Sequence, residues 1–331
     1  MYLIRDIHNI DFFNKKFSSK PLIATIGNFD GLHLGHKEII KKMKKIGAKD
    51  NLHSLVIFTE PHAKEFFAEE KDSAEQPTRI SPWRDKCKRL KDNNVDYAFF
   101  LRFNKKLQSM SPEEFIDKIL SKLNIKYLMV GDDFKFGKER SGDFDFLANW
   151  GDSNEIEVAR IPTYSFQDRR VSSTWIRESI ANGDFDLAEK LLDRRYTFSG
   201  KVVFGNRLGR TIGIPTANIW VPKSNLPIRG VFAVKALIKG ETFNGIANMG
   251  VRPTVGGTSP VLEIHIFDFN EEIYGNRIEV EFFKKIRDER KFENLDKLKE
   301  QINLDIEETK IYFAKKKKKL KETLNLPKTG F

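Results

Sequence analysis

The sequence predicts two domains of different class: an α/β domain built on a parallel sheet, then a small antiparallel β-barrel closed by a helix. Three observations predict it. Strand-like and helix-like segments alternate through roughly the first 185 residues. From about Tyr196, strand-like runs follow one another closely with no helix pattern between them. Beyond Asn294, apolar residues take helical spacing. A chain of 331 residues also suits two cores better than one.

In the first half, apolar, β-branched or aromatic runs at Leu22–Ile26, Ser54–Phe58, Tyr97–Phe103, Lys126–Val130 and Ile156–Ile161 predict strands. Helices are expected between them. One covers His36–Lys45. A second covers Pro82–Asp92, with Ser81 as N-cap and Pro82 at the first helical position. Ser111-Pro112-Glu113-Glu114 repeats that start signal before FIDKILSKL, and Ser172–Asn182 makes a further helix. Such alternation implies a parallel sheet covered on both faces, whose ligands bind beyond the carboxyl ends of its strands. A helix over DFDLAEKLL, residues 184–192, bridges to the second half. There FSGKVVFG, TANIWV, GVFAVKALIKG, ETFNGIANMG, VLEIHIFDF and RIEVEFFKKI read as strands punctuated by Gly, Pro and Asn. The closing helix sets Leu295, Leu298, Ile302 and Ile306 on one stripe. The expected division is residues 1–185, 186–314, and a lysine-rich tail at 315–331.

Charge and composition narrow the function. The formal charge is +11, but seven lysines and one glutamate after Ala314 supply +6, which leaves +5 for the rest. That is a solvated tail rather than a nucleic-acid footprint. No Cys/His finger or aromatic RNA-binding motif accompanies it, so no nucleic-acid partner is expected. No apolar run is long enough to span a bilayer, and the first residues lack a signal-peptide layout. The single cysteine, Cys87, allows no intramolecular disulfide. A cytoplasmic protein without membrane partners is expected, its oligomeric state open.

GNFDGLHLGH, residues 27–36, raises the sharpest chemical question. Gly27 and Gly31 allow a tight turn after a strand, and His33 and His36 fall at the start of the next helix. A helix N-terminus attracts phosphate, and two imidazoles three residues apart share one face and can donate to its oxygens. The stretch is neither a Walker loop nor a dinucleotide fingerprint. Zinc would need a third ligand, and a pair of surface histidines in a turn is the plain alternative. Further on, Ser172, Ser173 and Thr174 precede a helix, can cap it, and offer hydroxyls and free N–H groups to phosphate. Arg177 follows one turn later.

These passages resemble a known family. GNFDGLHLGH is similar to the signature of the H-x-G-H nucleotidylyltransferases, in the form found in the adenylyltransferase half of the bifunctional riboflavin kinase/FAD synthetases. EPHAKEFF (60–67) is similar to the family's Glu-Pro-His-Pro region, with Ala63 in place of proline. SPEEFIDKIL, VGDDFKFGKERSGD (130–143, with Lys135 where arginine is common) and VSSTWIRESIANGD (171–184) follow in the family's order. The resemblance implies a Rossmann-like fold. It also implies that His33, His36 and Arg177 stabilise charge at a nucleotide phosphate, with Gly27, Phe29, Asp30, Gly31, Ser172, Ser173 and Thr174 around the nucleotide. Asp133, Phe134 and Phe136 are the flavin-side candidates; the two phenylalanines are equally well explained as core.

GNRLGRTIGIPTANIW (205–220) is the densest motif of the second half. Gly205, Gly209 and Gly213 permit a flap whose amides can face phosphates, and Pro215 stiffens the approach to Thr216-Ala217-Asn218. Thr216 and Asn218 offer two oxygens on one side of a strand, suited to Mg²⁺ held with nucleotide phosphates. A Gly/Pro hairpin with a buried asparagine is the alternative. Glu263 interrupts an apolar strand, where a charge is costly unless paired or functional, or else it lies on a wet face. His265 shares that face. The stretch resembles the Gly-x-Pro-Thr-Ala-Asn signature of riboflavin kinases, and GIANMGVRPTV, LEIHIFDF, IYGNRIEVEFFKKIRDERKF and LKEQINLD agree in order. The resemblance implies a riboflavin kinase-like barrel with Glu263 as general base. The substrates and products it implies are riboflavin, FMN, FAD and ATP. Two rivals stand beside it: an adenylyltransferase for another phosphorylated cofactor precursor, and a basic nucleic-acid-binding module.

Overall fold

The structure, a computed structural model, describes residues 1–18, 20–71, 77–205, 213–221, 226–254 and 257–324. The chain divides into two compact units, residues 1–176 with 191–193, and residues 177–190 with those from 194 on.

In the first unit, six parallel strands form a sheet among the described residues: β1 (Tyr2–Arg5), β2 (Leu22–Ile26), β3 (His53–Glu60), β4 (Tyr97–Arg102), β5 (Ile125–Gly131) and β6 (Glu157–Ile161). Their order is β1-β4-β3-β2-β5-β6. From β2 the chain runs outward through β3 and β4 on one side, then returns to place β5 and β6 on the other. The order therefore reverses at β2 and β5, where ligands of such sheets bind. The helices are α1 (Ile10–Phe17), α2 (Leu34–Asp50), α3 (Ala63–Glu70), α4 (Trp83–Asp92), α5 (Lys105–Gln108), α6 (Pro112–Phe115) and α7 (Phe144–Asp152), with a π-helical continuation of α6 over Ile116–Leu120. Alternate residues of the strands feed opposite cores. Leu22, Ala24, Leu55 and Ile57 pack with Phe13 of α1 on one face. On the other, Ile23 and Met129 meet Met43 of α2, while Val56 and Phe58 meet Ile40 and Leu90. Burial on both faces explains why β2 and β3 read as unbroken apolar runs.

Several starts and stops differ from expectation. Ser111 forms the expected capping box with Glu114, with Pro112 first in the helix. At α4 the N-cap is Pro82, with no side-chain cap. Ser81 lies one residue before the cap, and its N–H, like that of Ile80, donates to the buried Asp30 carboxylate. The sequence also left β1, α1, α3 and α7 unannounced. For α3 the reason is plain: its N-cap is His62, whose Nδ1 accepts from Lys64 N–H, an uncommon capping group.

A short hairpin, β7 (Ser165–Phe166) and β8 (Arg169–Arg170), turns through Gln167 and Asp168 in the left-handed region. It leads to α8 (Ser173–Ala181) and α9 (Phe185–Leu192).

The second unit is a closed antiparallel barrel of β9 (Thr197–Val203), β10 (Ala217–Ile219), β11 (Gly230–Ile238), β12 (Glu241–Thr254), β13 (Gly257–Ile266) and β14 (Arg277–Arg287). Its order is β10-β13-β12-β11-β14-β9. Each of the strand-like runs of the second half contributes one of these strands. Phe185 of α9 packs among Tyr196, Phe232 and Phe282, with ring centroids 5.7–6.4 Å away. The closing helix α10 (Leu295–Leu324) carries the lysine-rich run through Lys319 within it. Its buried stripe starts later than expected. Leu295 is exposed, and the stripe runs through Ile306, Thr309 and Phe313. Asp305 on that stripe pairs with Arg287 of β14 through both carboxylate oxygens, at 2.9 and 3.1 Å from Nε. This ion pair anchors the helix at a point where no apolar residue stands.

Candidate active sites

The first site begins where β2 ends. Phe29 and Leu32 hold left-handed backbones at φ 48° and 44°, on either side of Gly31 at φ 79°. Non-glycine residues adopt that region at a cost, and its recurrence within four residues marks an over-determined turn. A side chain at Gly31 would also press into Ile80. The turn delivers His33 to the N-cap of α2, where its Nδ1 accepts from His36 N–H at 3.4 Å. That bond puts the His33 ring proton on Nε2. The two imidazoles stack with centroids 3.7 Å apart, and Phe29 backs His36 at 4.6 Å. A Cβ at Gly35 would come to 3.2 Å from the His33 ring, so a larger residue there would push on that imidazole. Burial pushes the His36 imidazole well below its ordinary value, and the neighbouring His33 and Lys86 push the same way. His36 is therefore a neutral hydrogen-bonding group at physiological pH. Its Nδ1 is sealed from solvent without a partner among the described residues, which leaves Nε2 for a ligand.

The second phosphate-binding segment comes to the same place. Ser173 Oγ donates to the Asp30 backbone oxygen at 3.0 Å, and Ser172 Oγ accepts from Trp175 N–H at 3.2 Å to cap α8. The segments that start α2 and α8, joined by a bond spanning 143 residues, thus meet at one strand end. Thr174 is exposed, and Arg177 stands one turn along α8. Asp30 itself is 5% exposed, and its carboxylate is engaged by Ile80 and Ser81. Its oxygens hold the segment before α4 in place.

After β5, Asp133 is exposed and bonded to Arg170 of β8 at 3.1 Å. Phe136 is 7% exposed and packed against Phe115 and Phe146, so the core accounts for it. Phe134, half-buried, stacks on Phe136 at 5.7 Å. A cavity of about 350 Å³ opens beside the start of α2, lined by Gly35, Glu38, Lys41, Lys42, Lys45 and residues Ile161–Tyr164 after β6.

Two features of this unit escaped sequence reasoning. Arg79 lies between Glu60 and Glu65, 2.7 Å from Glu60, and their carboxylates hold its guanidinium charged despite burial. Lys86 of α4 is buried beneath Phe58. Neither carries a motif; an arginine before a helix and a lysine within one look like surface residues.

In the barrel, strand register builds the second site. Asn218 of β10 lies directly opposite Glu263 of β13, and Asn248 of β12 lies opposite Glu263 on its other side. Cross-strand partners share a face, so the carboxylate stands in a row between two carboxamides. Asn248 was not singled out in the sequence; only the pairing of β12 with β13 brings it in. Asn218 is 6% exposed, while Glu263 is half-buried on the face opposite the core residues Leu262 and Ile264. Gly205 lies against Asn218: a Cβ there would overlap the carboxamide. Thr216 immediately precedes β10, and Pro215 O accepts from the His265 ring at 2.8 Å. Gly213 is exposed with φ 81°, and Gly209 lies outside the described residues. The described residues contain no cluster of three or more His, Cys, Asp or Glu that could hold a metal. The donor set near Glu263 is hydroxyl, amide and carboxylate oxygen, which suits a hard cation carried largely by nucleotide phosphates. No described helix is long and apolar enough to cross a membrane.

Comparison with known proteins agrees with both halves. A family model described as FAD synthetase matches residues 15–175, and one described as riboflavin kinase matches residues 192–313. A bifunctional riboflavin kinase/FMN adenylyltransferase of Haemophilus influenzae is 42% identical over 315 residues, covering 95% of this chain and 99% of the relative. The protein of the same description from Escherichia coli K12 is 40% identical over 307 residues, covering 92% and 96%. Among solved structures, a macrolide-efflux protein from Streptococcus pneumoniae superposes with a TM-score of 0.75 at 29% identity, over 94% of this chain and 99% of that one.

Proposed function

The chain belongs to the family of bifunctional riboflavin kinase/FMN adenylyltransferases, and from that premise we propose which of its residues carry each reaction. It phosphorylates riboflavin with ATP to give FMN, then adenylates FMN with a second ATP to give FAD and pyrophosphate. The transferase occupies residues 1–185 and the kinase residues 186–314, with 315–331 outside both activities.

In the transferase, an oxygen of the FMN phosphate attacks the α-phosphorus of ATP. The new P–O bond forms as the bond to the β-phosphate oxygen breaks, and pyrophosphate leaves. His33 and His36 donate to the phosphate oxygens from the start of α2, and the free N–H groups there and at α8 add partial positive charge. Arg177 supplies a fixed charge. Ser172, Ser173, Thr174 and the turn Gly27–Gly31 shape the nucleotide site, with Asp30 and Phe29 holding the turn. The cavity beside Gly35 suits the base of the nucleotide, since it opens at the same helix start and has the size of a ligand pocket. Asp133 and Phe134 flank the flavin side, with Phe136 as their support. The observation that carries this reading is the hydrogen bond from Ser173 to Asp30, because it joins two phosphate-binding helix starts into one site.

In the kinase, Glu263 accepts the proton of the ribityl 5′-hydroxyl while that oxygen attacks the γ-phosphorus, and ADP leaves. Asn218 and Thr216 would hold Mg²⁺ with the phosphates, and that ion would neutralise phosphate charge. Gly205, Gly213 and Pro215 stand against the nucleotide; Gly209, assigned to the same role by the sequence, lies outside the described residues. Both substrates of this chemistry are cytosolic nucleotides and vitamins, which supports a cytoplasmic home.

Product analysis separates the sites. With riboflavin and MgATP, His36→Ala should accumulate FMN and make no FAD. Glu263→Ala should make no FMN but still convert supplied FMN to FAD. Normal FAD formation from riboflavin by both variants would overturn the assignments.

A further inference from the structure

We propose that His265 is a positioning residue of the kinase reaction: its ring holds the Pro215–Thr216 peptide and so presents Thr216 to the phosphate side of the site, at a set spacing from Glu263. The proposal rests on the reading of Thr216 and Glu263 given above.

β10 is short. It pairs with β13 through Ala217 and Ile264, Asn218 and Glu263, and Ile219 and Leu262, and it begins at Ala217. Pro215 and Thr216 therefore precede the ladder, and Pro215 has no N–H to give one. β13 reaches them by a side chain instead. Nδ1 of the His265 ring lies 2.8 Å from Pro215 O. A carbonyl oxygen only accepts, so Nδ1 carries the proton and donates it. The peptide between Pro215 and Thr216 is planar, so a bond to its oxygen also fixes the tilt of the Thr216 N–H. Tilting that plane would change the direction in which the Thr216 side chain leaves the backbone.

The segment is anchored elsewhere by a different force. Ile214 is 6% exposed and packs with Val231, Ile246, Phe267 and Ile306. That contact is apolar and non-directional, so it holds the segment down without orienting the peptide that follows. Pro215 is exposed and Thr216 half-buried. The His265 ring is itself oriented: Phe267 meets it edge to face, with centroids 5.7 Å apart and planes at 63°. β12 lies close against the same residue, since a Cβ at Gly245 would come to 2.7 Å from the His265 backbone oxygen. His265 and Glu263 are two residues apart on β13 and share a face. One strand thus carries both the proton acceptor and the grip on Thr216, and the approach of hydroxyl to phosphate depends on both. Placement of this kind acts on the rate of the step more than on affinity for the flavin.

The test uses the full chain with His265→Leu, His265→Asn, His265→Gln, Thr216→Ala and the pair Thr216→Ala/His265→Leu. The amide nitrogen of asparagine is as many bonds from the backbone as Nδ1, and that of glutamine as many as Nε2. FMN formation is followed from riboflavin and MgATP. FAD formation from supplied FMN reports the other unit, and thermal melting reports folding. His265→Leu should lower kcat for FMN formation about tenfold or more, with the KM for riboflavin near wild type. His265→Asn should recover most of that loss, and His265→Gln should not. Because His265 acts through Thr216, the double variant should be no slower than Thr216→Ala alone. In the ligand-free wild type, nitrogen NMR of the ring should find a proton on Nδ1. Equal rates for the three His265 variants overturn the proposal, as do additive losses in the double variant, a ring protonated on Nε2 alone, or failure of His265→Asn to fold. If Thr216→Ala forms FMN normally, the reading of Thr216 falls with it. If Thr216→Ala is slow and His265→Leu matches wild type, that reading stands and His265 has no part.

Discussion

Replacing Gly205 with alanine should slow riboflavin phosphorylation while leaving FAD formation from supplied FMN untouched. Gly205 has no left-handed backbone, so alanine adds no local strain; what it adds is volume. The new Cβ would sit 2.5 Å from Asn218 Oδ1 and closer still to Cγ and Nδ2. Non-bonded carbon contacts relax near ~3.5 Å, so the carboxamide must retreat by roughly 1 Å. Asn218 is buried at 6% exposure on a short barrel strand, so the retreat has little room, and the strand shifts with it or the side chain turns away. Directly opposite lies Glu263, which loses its neighbour. A displacement of about 1 Å at a reacting constellation costs about a hundredfold in rate, and overpacking adds about 1–3 kcal/mol of lost stability. The assay follows FMN from riboflavin and MgATP, then FAD from FMN and MgATP, in the same preparation. Wild-type FMN formation by a folded Gly205→Ala protein would refute the placement of Asn218 in the kinase site. Equal loss of both activities would refute the independence of the two sites.

Two further outcomes concern the transferase unit. His36 is held neutral below its ordinary value, so the unfolded chain binds a proton near pH 6.5 that the folded chain refuses. The stability from neutral His36 is complete above that value and drains away as pH falls below it. Wild-type melting temperature should drop more steeply from pH 7 to 5 than that of His36→Gln; parallel curves would show that His36 titrates normally. Arg79→Met leaves the Glu60 and Glu65 carboxylates buried without their cation and should destabilise this unit by about 3–5 kcal/mol, seen in calorimetry as a lowered transition with the barrel's transition unmoved.

Features that local physics encodes were legible in the chain. The alternation of strand and helix announced a parallel sheet, because strands buried on both faces must read as apolar runs such as Leu22–Ile26. The Ser-Pro-Glu-Glu start of α6 was legible because all its capping partners lie within four residues. Glycines at 27, 31 and 35 marked a turn into a helix, and dense β-branched runs marked a barrel. Where a distant group holds the chain, the local reading slipped by a residue: Ile80 and Ser81 are tied by their N–H groups to Asp30, and α4 starts after Pro82 rather than after Ser81.

Tertiary structure alone decided which of these pieces meet. Ser173 reaches Asp30 because the chain after β6 folds back across β5 to the end of β2. Asn248 stands beside Glu263 because of the register between β12 and β13, and a slip of one residue would turn it to the other face. Lys86 and Arg79 look like solvent-exposed charges in the chain and become buried ones only once helix and strand ends close over them. Periodicity and caps are short-range and written in neighbouring residues. Strand order, register and the burial of a charge arise from contacts across tens to hundreds of residues, and these exist only in the folded chain.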